Sequence, residues 1–322
     1  MRAYQVVSYD KNPELVETNS PTPVNGEILL EIAACGLNFG DLLMAKGEYQ
    51  EKPELPFTLG MEVAGTVREV GPGVEGLAPG TRVLLAGGAG GLAEFGTYPA
   101  DQAIAIPDSM TFTDAAAFQI AYGTSHVGLD YRARLQPGEN LLVLGAAGGV
   151  GMTAIEIGKL MGAKVIACAR GKEKLEVCKR AGADVLIDSE TDDLRAAVKD
   201  AGGADVIYDP VGGDQFRAAM RATNPEARIL VVGFASGDVP QIPANHLLVK
   251  NLNIMGYYWG GYKRFKPDVL RDSMTTLLNW YDEGKLKPHV SHALPLEQAG
   301  EAYELMRSRK STGKVVVTTG RG

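Results

Sequence analysis

The sequence predicts a two-domain α/β protein, a β-rich and partly closed barrel joined to a doubly wound parallel sheet. Three observations carry this reading. Residues 140–151, NLLVLGAAGGVG, join an apolar strand-like run to a glycine turn. Five further strand-like runs follow at regular spacing, and about 140 residues of different texture precede it.

Up to about Ala105 the chain reads as short strands broken by glycine and proline: GEILLEIAACG (26–36), GMEVAGTVREVG (60–71), GTRVLLAGG (80–88) and FGTYPADQAIAIP (95–107). Their irregular spacing suits a barrel-like sheet rather than βαβ units. TDAAAFQIAYGTSHVGL (113–129) has helical spacing, with Thr113 and Asp114 as N-cap candidates, and leads into the next domain. Beyond Leu135 strand and helix alternate. The strand-like runs are NLLVLG (140–145), KVIACA (164–169), DVLID (184–188), DVIYDPV (205–211), RILVVG (228–233) and LNIMGY (252–257). Residues 267–284 and 295–310 read as helices and 313–319 as a closing strand. The expected division is 1–121 with 262–322 as one domain and 122–261 as an insertion.

Composition narrows the function classes. With 322 residues, 45% of them hydrophobic, the chain has enough material for two cores. A net charge of −7 argues against a nucleic-acid partner, which would need a basic face. The opening MRAYQVVSYD reads as an edge strand and lacks the apolar core of a signal peptide, and glycines interrupt the apolar stretch 141–155. A cytoplasmic protein with no membrane segment is therefore expected. Cys35, Cys168 and Cys178 lack paired metal-ligand spacing and suit a reducing compartment.

The glycine turn, Gly145-x-x-Gly148-x-x-Gly151, is of the kind that brings backbone N–H groups and a helix N-terminus up to a pyrophosphate. It has Ala147 where the common GxGxxG has its second glycine. Sheets that bind NAD usually place an acid about 20 residues further on, to accept from the ribose hydroxyls. The second strand here ends in Ala169-Arg170 instead. Arg170 and Lys174 offer positive charge for a 2′-phosphate, so NADPH is the expected cofactor.

Further segments carry a resemblance: CGLNFGDLLMAKGEY (35–49), GMEVAGTV (60–67), VGPGV (70–74), YGTSHVGL (122–129), LQPGENLLVLGAAGGVG (135–151), DPVGG (209–213) and STGKVVV (311–317). Over essentially its whole length the chain resembles the zinc-free medium-chain dehydrogenase/reductases, especially NADPH:quinone oxidoreductases similar to zeta-crystallin. The resemblance implies a GroES-like catalytic domain and a Rossmann nucleotide domain. Zinc alcohol dehydrogenases of this fold carry a ligand Cys where Asn38 stands and a ligand His where Met61 stands. Neither residue is a usual zinc ligand, and no metal is expected. Glu62 remains as a lone carboxylate. His289 and His292, three apart between two prolines, read as a surface turn.

A site without a Lewis acid suits acceptors that take hydride readily, namely quinones or conjugated enones. By resemblance Asn38 faces the nicotinamide ribose and the substrate cleft, where its amide could donate to the acceptor carbonyl. Tyr49 matches a tyrosine that could orient the acceptor or relay a proton. Leu43 replaces a tyrosine common in the family's quinone reductases, which makes the cleft more apolar. The resemblance further assigns Thr124 to the nicotinamide ribose, Ala147, Gly148, Gly149 and Val150 to the pyrophosphate, and Ser189 to the adenosine side. Gly233, Phe234, Ser236, Tyr258 and Trp259 are expected beside the nicotinamide and Arg309 near the cofactor. The expected function is NADPH-dependent, zinc-independent reduction of a quinone. Reduction of α,β-unsaturated aldehydes or ketones, or of enoyl-CoA thioesters, is the alternative; only Lys263, Arg264 and Lys266 could meet the phosphates of a thioester. A nucleotide-binding sensor without turnover is the competing class. The apolar sixth strand, LNIMGYYWGGY, suggests a homodimer.

Overall fold

In the computed structural model, which describes residues 1–321, the chain forms two compact units. One comprises Met1–Ile120 and the segment from Lys287 on; the other is Ala121–Leu286.

The first unit opens with strands β1 (Arg2–Val6), β2 (Glu14–Glu17) and β3 (Glu27–Gly36), helix α1 (Phe39–Met44), and strands β4 (Phe57–Thr58), β5 (Glu62–Val70), β6 (Arg82–Leu85), β7 (Phe95–Pro99) and β8 (Ile104–Ala105). Helices α2 (Phe112–Ala116) and α3 (Gln119–His126) lead out of it. The second unit contains β9 (Asn140–Leu144), α4 (Gly149–Leu160), β10 (Lys164–Ala169), α5 (Lys172–Arg180), β11 (Val185–Asp188), α6 (Leu194–Asp200), β12 (Ala204–Asp209), α7 (Gly213–Arg221), β13 (Thr223–Val231), α8 (Ala244–Lys250), β14 (Asn253–Gly256), α9 (Tyr262–Phe265) and α10 (Pro267–Asp282). The first unit then closes with β15 (Val290–Pro295), α11 (Ala299–Arg307) and β16 (Lys314–Thr318).

In the first unit β3 is buried along nearly its whole length, because β5, β7 and β16 all pair with it. The larger sheet runs β15-β16-β3-β5-β6-β8, with β7 added on β3, and a small sheet runs β2-β1-β4. Ile28, Leu30, Ile32, Val63, Val67, Leu85, Val315 and Val317 fill its core. The register Val316↔Gly36 matters for the site, since it brings the head of β16 beside the end of β3.

The second unit is a six-stranded parallel sheet ordered β11-β10-β9-β12-β13-β14. Numbered within the unit this is 3-2-1-4-5-6, and the order reverses between β9 and β12, where such sheets open a ligand crevice. Leu141, Leu142, Val143 and Leu144 have no exposed surface, as expected of a central strand covered on both faces.

Two features depart from the sequence reading. The segment expected as one helix over 113–129 breaks into α2 and α3, and the N-cap is Thr111, whose Oγ1 accepts from Asp114 N–H at 3.1 Å. Residues 262–286 lie in the second unit, although 262–322 was expected to return as a whole to the first. The amphipathic face of α10 explains it: Ser273, Met274 and Leu277 are buried, Ser273 Oγ lies 2.8 Å from His126 Nδ1, and Trp280 meets the His126 ring edge-on. Among the described residues no helix is long and apolar enough to cross a membrane.

Candidate active site

In the second unit the glycine turn is built as its spacing requires. Gly145 has φ of +57°, in the left-handed region. A Cβ on Gly151 would lie 2.4 Å from the Gly145 carbonyl oxygen and 2.7 Å from Ala146 Cα, so only glycine lets α4 start this close to β9. Gly148 is the N-cap of α4 and supplies no side-chain cap. The first N–H groups of a 12-residue helix are thus left for a ligand. Ala147, 4% exposed, fits the place of the missing glycine. Gly149 and Val150 form the first turn. These residues fit a pyrophosphate.

At the end of β10, Arg170 Nε lies 3.3 Å from Glu190 Oε1, and both side chains are about half exposed. Glu190, which follows Ser189 beyond β11, is not singled out by the sequence because it comes after the third strand, not the second. An acid therefore does stand at the end of the second strand, held by the cation expected to bind a 2′-phosphate. Asp188 shapes this corner: its Oδ1 accepts from Gly171 N–H at 2.9 Å and Glu190 N–H at 3.1 Å, which lowers its pKa. Lys174 lies half-buried on α5, and its charge bears on the Cys178 thiol one turn further on.

Ser125 connects the elements around Thr124. Its Oγ lies 2.7 Å from Thr153 Oγ1 and 3.1 Å from Tyr208 OH, and donates to Val150 O at 3.0 Å. Helix α3 is thereby fixed to α4 and β12, with Thr124 only 7% exposed. Trp259 packs on the same helix, and a Cβ on Gly123 would lie 2.9 Å from its Nε1. The structure thus brings Trp259 next to Thr124's neighbour, while Tyr258 stays more than a third exposed. The loop of Gly233, Phe234 and Ser236 runs along DPVGG, with Ala235 N–H on Pro210 O and Ser236 N–H on Val211 O. Phe234 is 39% exposed rather than core. Asp209, missed in the sequence, organises this turn by accepting from Val211 and Gly212 N–H at 2.8 and 2.9 Å. Burial raises its pKa.

In the first unit a buried polar cluster stands at the end of β3. Asn38 Nδ2 donates to Glu62 Oε1 at 3.1 Å and Gly36 O at 3.3 Å, while Asn38 Oδ1 accepts from Lys314 Nζ at 2.8 Å. Lys314 also pairs directly with Glu62 Oε1, and Glu62 Oε2 accepts from Ile120 N–H at 2.8 Å. Glu62 is 1% and Lys314 5% exposed. This changes the chemistry expected of Asn38. Both amide protons are engaged inside the protein, so the side chain has no N–H group left for the donor role expected above. Glu62 is not a lone carboxylate either, because β16 delivers its partner from the far end of the chain.

Asp41, fully buried on α1, accepts from Asn38 N–H at 2.8 Å. Burial pushes its pKa up to about 7, with Glu62 adding to the rise and Lys314 opposing it. Tyr49 is half-buried, and a Cβ on Gly40 would lie 2.9 Å from Met61 Sδ and 3.1 Å from the Tyr49 ring. Asn38, Met61 and Tyr49 are therefore neighbours around α1. Arg309 lies exposed just beyond α11, with φ of +56°. His289 and His292 do not form a pair of ligands: His289 Nε2 lies 2.8 Å from Thr312 Oγ1, and His292 Nδ1 lies 2.9 Å from Ser291 Oγ. Among the described residues no group of three or more His, Cys, Asp or Glu side chains could hold a metal ion.

Comparison with known proteins agrees with this architecture. The family profile "Alcohol dehydrogenase GroES-like domain" matches residues 24–108, and "Zinc-binding dehydrogenase" matches 149–274. The chain is 42% identical to quinone oxidoreductase-like protein 2 homolog of Nematostella vectensis, over 99% of this chain and 90% of the relative. It is 32% identical to the human synaptic vesicle membrane protein VAT-1 homolog, over 93% and 81%. It superposes on the crystal structure of Escherichia coli quinone oxidoreductase complexed with NADPH with a TM-score of 0.91, at 28% identity, over 99% of this chain and 100% of that one. With a GroES-like unit, an inserted Rossmann sheet and relatives this similar along nearly its whole length, the chain belongs to the medium-chain dehydrogenase/reductase family, among the quinone oxidoreductases.

Proposed function

We propose that this oxidoreductase uses NADPH to reduce a quinone without a catalytic metal. The observation that carries the reading is the Asn38–Glu62–Lys314 cluster: where zinc-dependent relatives have ligands, this chain has an internally paired polar network and Met61. When bound, the reduced nicotinamide supplies a hydride, and with one proton from solvent a quinone becomes a hydroquinone. The residues proposed to hold it are Ala147, Gly148, Gly149 and Val150 at the pyrophosphate, Arg170 and Lys174 at the 2′-phosphate, and Ser189 on the adenosine side. Thr124, Gly233, Phe234, Ser236, Tyr258 and Trp259 serve the nicotinamide end, and Arg309 adds positive charge.

Of the two residues proposed at the reacting centre, Tyr49 meets the acceptor and Asn38 meets a ligand hydroxyl. Asn38 Oδ1, turned toward the Lys314 ammonium, is the atom proposed to accept from that hydroxyl. Tyr49 orients the acceptor and delivers the proton through its phenol. The test is NADPH oxidation with 1,4-benzoquinone, 9,10-phenanthrenequinone, 2-alkenals and crotonyl-CoA, with and without chelator. Quinone turnover that survives chelation is expected. Preference for 2-alkenals, which the apolar Leu43 would favour, replaces quinone by enone, and negligible turnover on all four removes the enzyme assignment. Stoichiometric zinc in washed protein would end the metal-free reading.

The same reading includes a homodimer. β14 is the edge strand of its sheet, and Leu248 and Val249 on the preceding helix α8 are each 79% exposed. A terminal strand preceded by a helix with exposed apolar side chains suits a second copy of the chain. Sedimentation showing a monomer at micromolar concentration would rule it out.

A further inference from the structure

Lys314 stands out because the sequence places it in an ordinary closing strand, yet its ammonium is buried between two residues 252 and 276 positions away. Burying an ammonium and a carboxylate is costly even when they are paired, and an apolar pair of similar volume would often serve stability as well. The geometry shows what the pair does to Asn38. The amide oxygen points at the ammonium, and the amide nitrogen points at the carboxylate. Rotating the amide by half a turn would set its N–H groups against Lys314 and its oxygen against Glu62, two repulsive contacts in place of two attractive ones. An asparagine in water has no such preference. Here the orientation is dictated by charges that belong to β5 and β16, not to the loop that carries Asn38. Gly36 lets them meet: a Cβ there would lie 2.9 Å from Glu62 Oε1 and would strike the Ala116 carbonyl.

We propose that Lys314, paired with Glu62, is a positioning residue for hydride transfer: it locks the Asn38 amide with its oxygen toward the ammonium and its nitrogen toward the carboxylate, so that the side chain meets a ligand hydroxyl as an acceptor and never as a donor. The inference rests on the reading of Asn38 as a cleft residue. Lys314 itself touches no substrate in this scheme. It acts through Asn38, and the class of ligand group selected is a hydroxyl donor, such as a ribose or hydroquinone OH. A carbonyl, which can only accept, is not recognised by Asn38.

The test uses the full-length protein and four variants: Lys314→Met, Lys314→Arg, Glu62→Gln, and Lys314→Met with Glu62→Gln. Lys314→Met alone leaves a buried carboxylate unpaired and should lower Tm. The double variant removes both charges while keeping an acceptor for Ile120, and its Tm should return toward the wild-type value. If Lys314 only stabilises the fold, activity returns with Tm. If it positions Asn38, kcat with 1,4-benzoquinone stays reduced by about 10- to 100-fold, with little change in KM, and Lys314→Arg recovers part of it. A second readout does not depend on turnover. The Asn38 side-chain ¹⁵N–¹H signals should exchange slowly in the wild type and rapidly in both variants carrying Lys314→Met. Unchanged Asn38 signals in those variants, or wild-type kcat in the double variant, overturns the proposal. A wild-type protein that reduces no acceptor overturns the parent reading instead, and the signals of Asn38 still decide whether the lock exists.

Discussion

Asn38 shows how far a side chain's chemistry depends on neighbours that the local sequence does not name. In Leu37-Asn38-Phe39-Gly40 it is a donor and an acceptor; beside Glu62 and Lys314 it is only an acceptor. Asp41, three residues on, is a titrating group for a similar reason. Its native pKa of about 7 exceeds the ordinary 3.8, because burial favours the neutral form. Between about pH 4 and 7 the native state therefore keeps a proton that the unfolded chain has released, and stability from this group falls as pH rises through that window. Asp41→Asn removes the slope. The difference in Tm between variant and wild type should become more positive by a few degrees from pH 5 to pH 8, as thermal unfolding at the two pH values would show. Glu190 is the other residue whose role appears only in three dimensions. Its carboxylate pairs with Arg170, so under the proposed cofactor placement it would compete with a 2′-phosphate there, although an exposed pair of this kind is weak. Glu190→Gln should tighten NADPH binding by about threefold and leave NADH unchanged, measured by calorimetric titration; equal shifts for both would mean that Arg170 does not meet the phosphate.

At the scale of elements, the strands of the second unit were legible because each is an apolar run closed by glycine or a polar residue. The six runs match β9 to β14 within a few residues. The glycine turn was legible too, since its spacing is a steric requirement of one short segment. Gly151→Ala places a methyl carbon 2.4 Å from a carbonyl oxygen, which backbone movement alone can relieve. NADPH affinity should drop at least about tenfold while β9 and β10 stay folded; equilibrium titration with circular dichroism separates the two effects. The break between α2 and α3 was not legible. A periodic apolar stretch reads as one helix, and the chain turns near Ala117 and Phe118 because both are buried in tertiary contacts. Helix α10 was recognised as a helix but not as part of the second unit. Its amphipathic face says that it packs, whereas His126 and the side chains around it decide where.

At the scale of the whole molecule, the first unit is held by residues from both ends of the chain. Glu94 receives Arg2 N–H at 2.8 Å and pairs with the side chains of Arg2 and Arg321. The Arg2 N–H, then the Arg321 and Arg2 guanidinium groups, hold its pKa down to about 2 against the opposing effect of burial. Its contribution to stability is thus present above the ordinary 4.5 and is lost as pH falls from there through about 2. Glu94→Gln should lower stability by a constant amount above about pH 5 and move the midpoint of acid unfolding to higher pH, and an unchanged midpoint would show that these contacts do not form in solution.

The sequence by itself determined the alternation of strand and helix, the glycine turn and the cationic end of the second strand. Each is a local matter of periodicity or steric room, which neighbouring residues encode. Only the tertiary structure decided the polar network of the first unit, the pairing of Arg170 with Glu190 and the place of α10. In each of these, the groups that meet are remote along the chain. A buried charge must find its partner wherever the sheet register delivers it, and the Val316↔Gly36 pairing of β16 with β3 is what delivers Lys314 to Asn38 and Glu62.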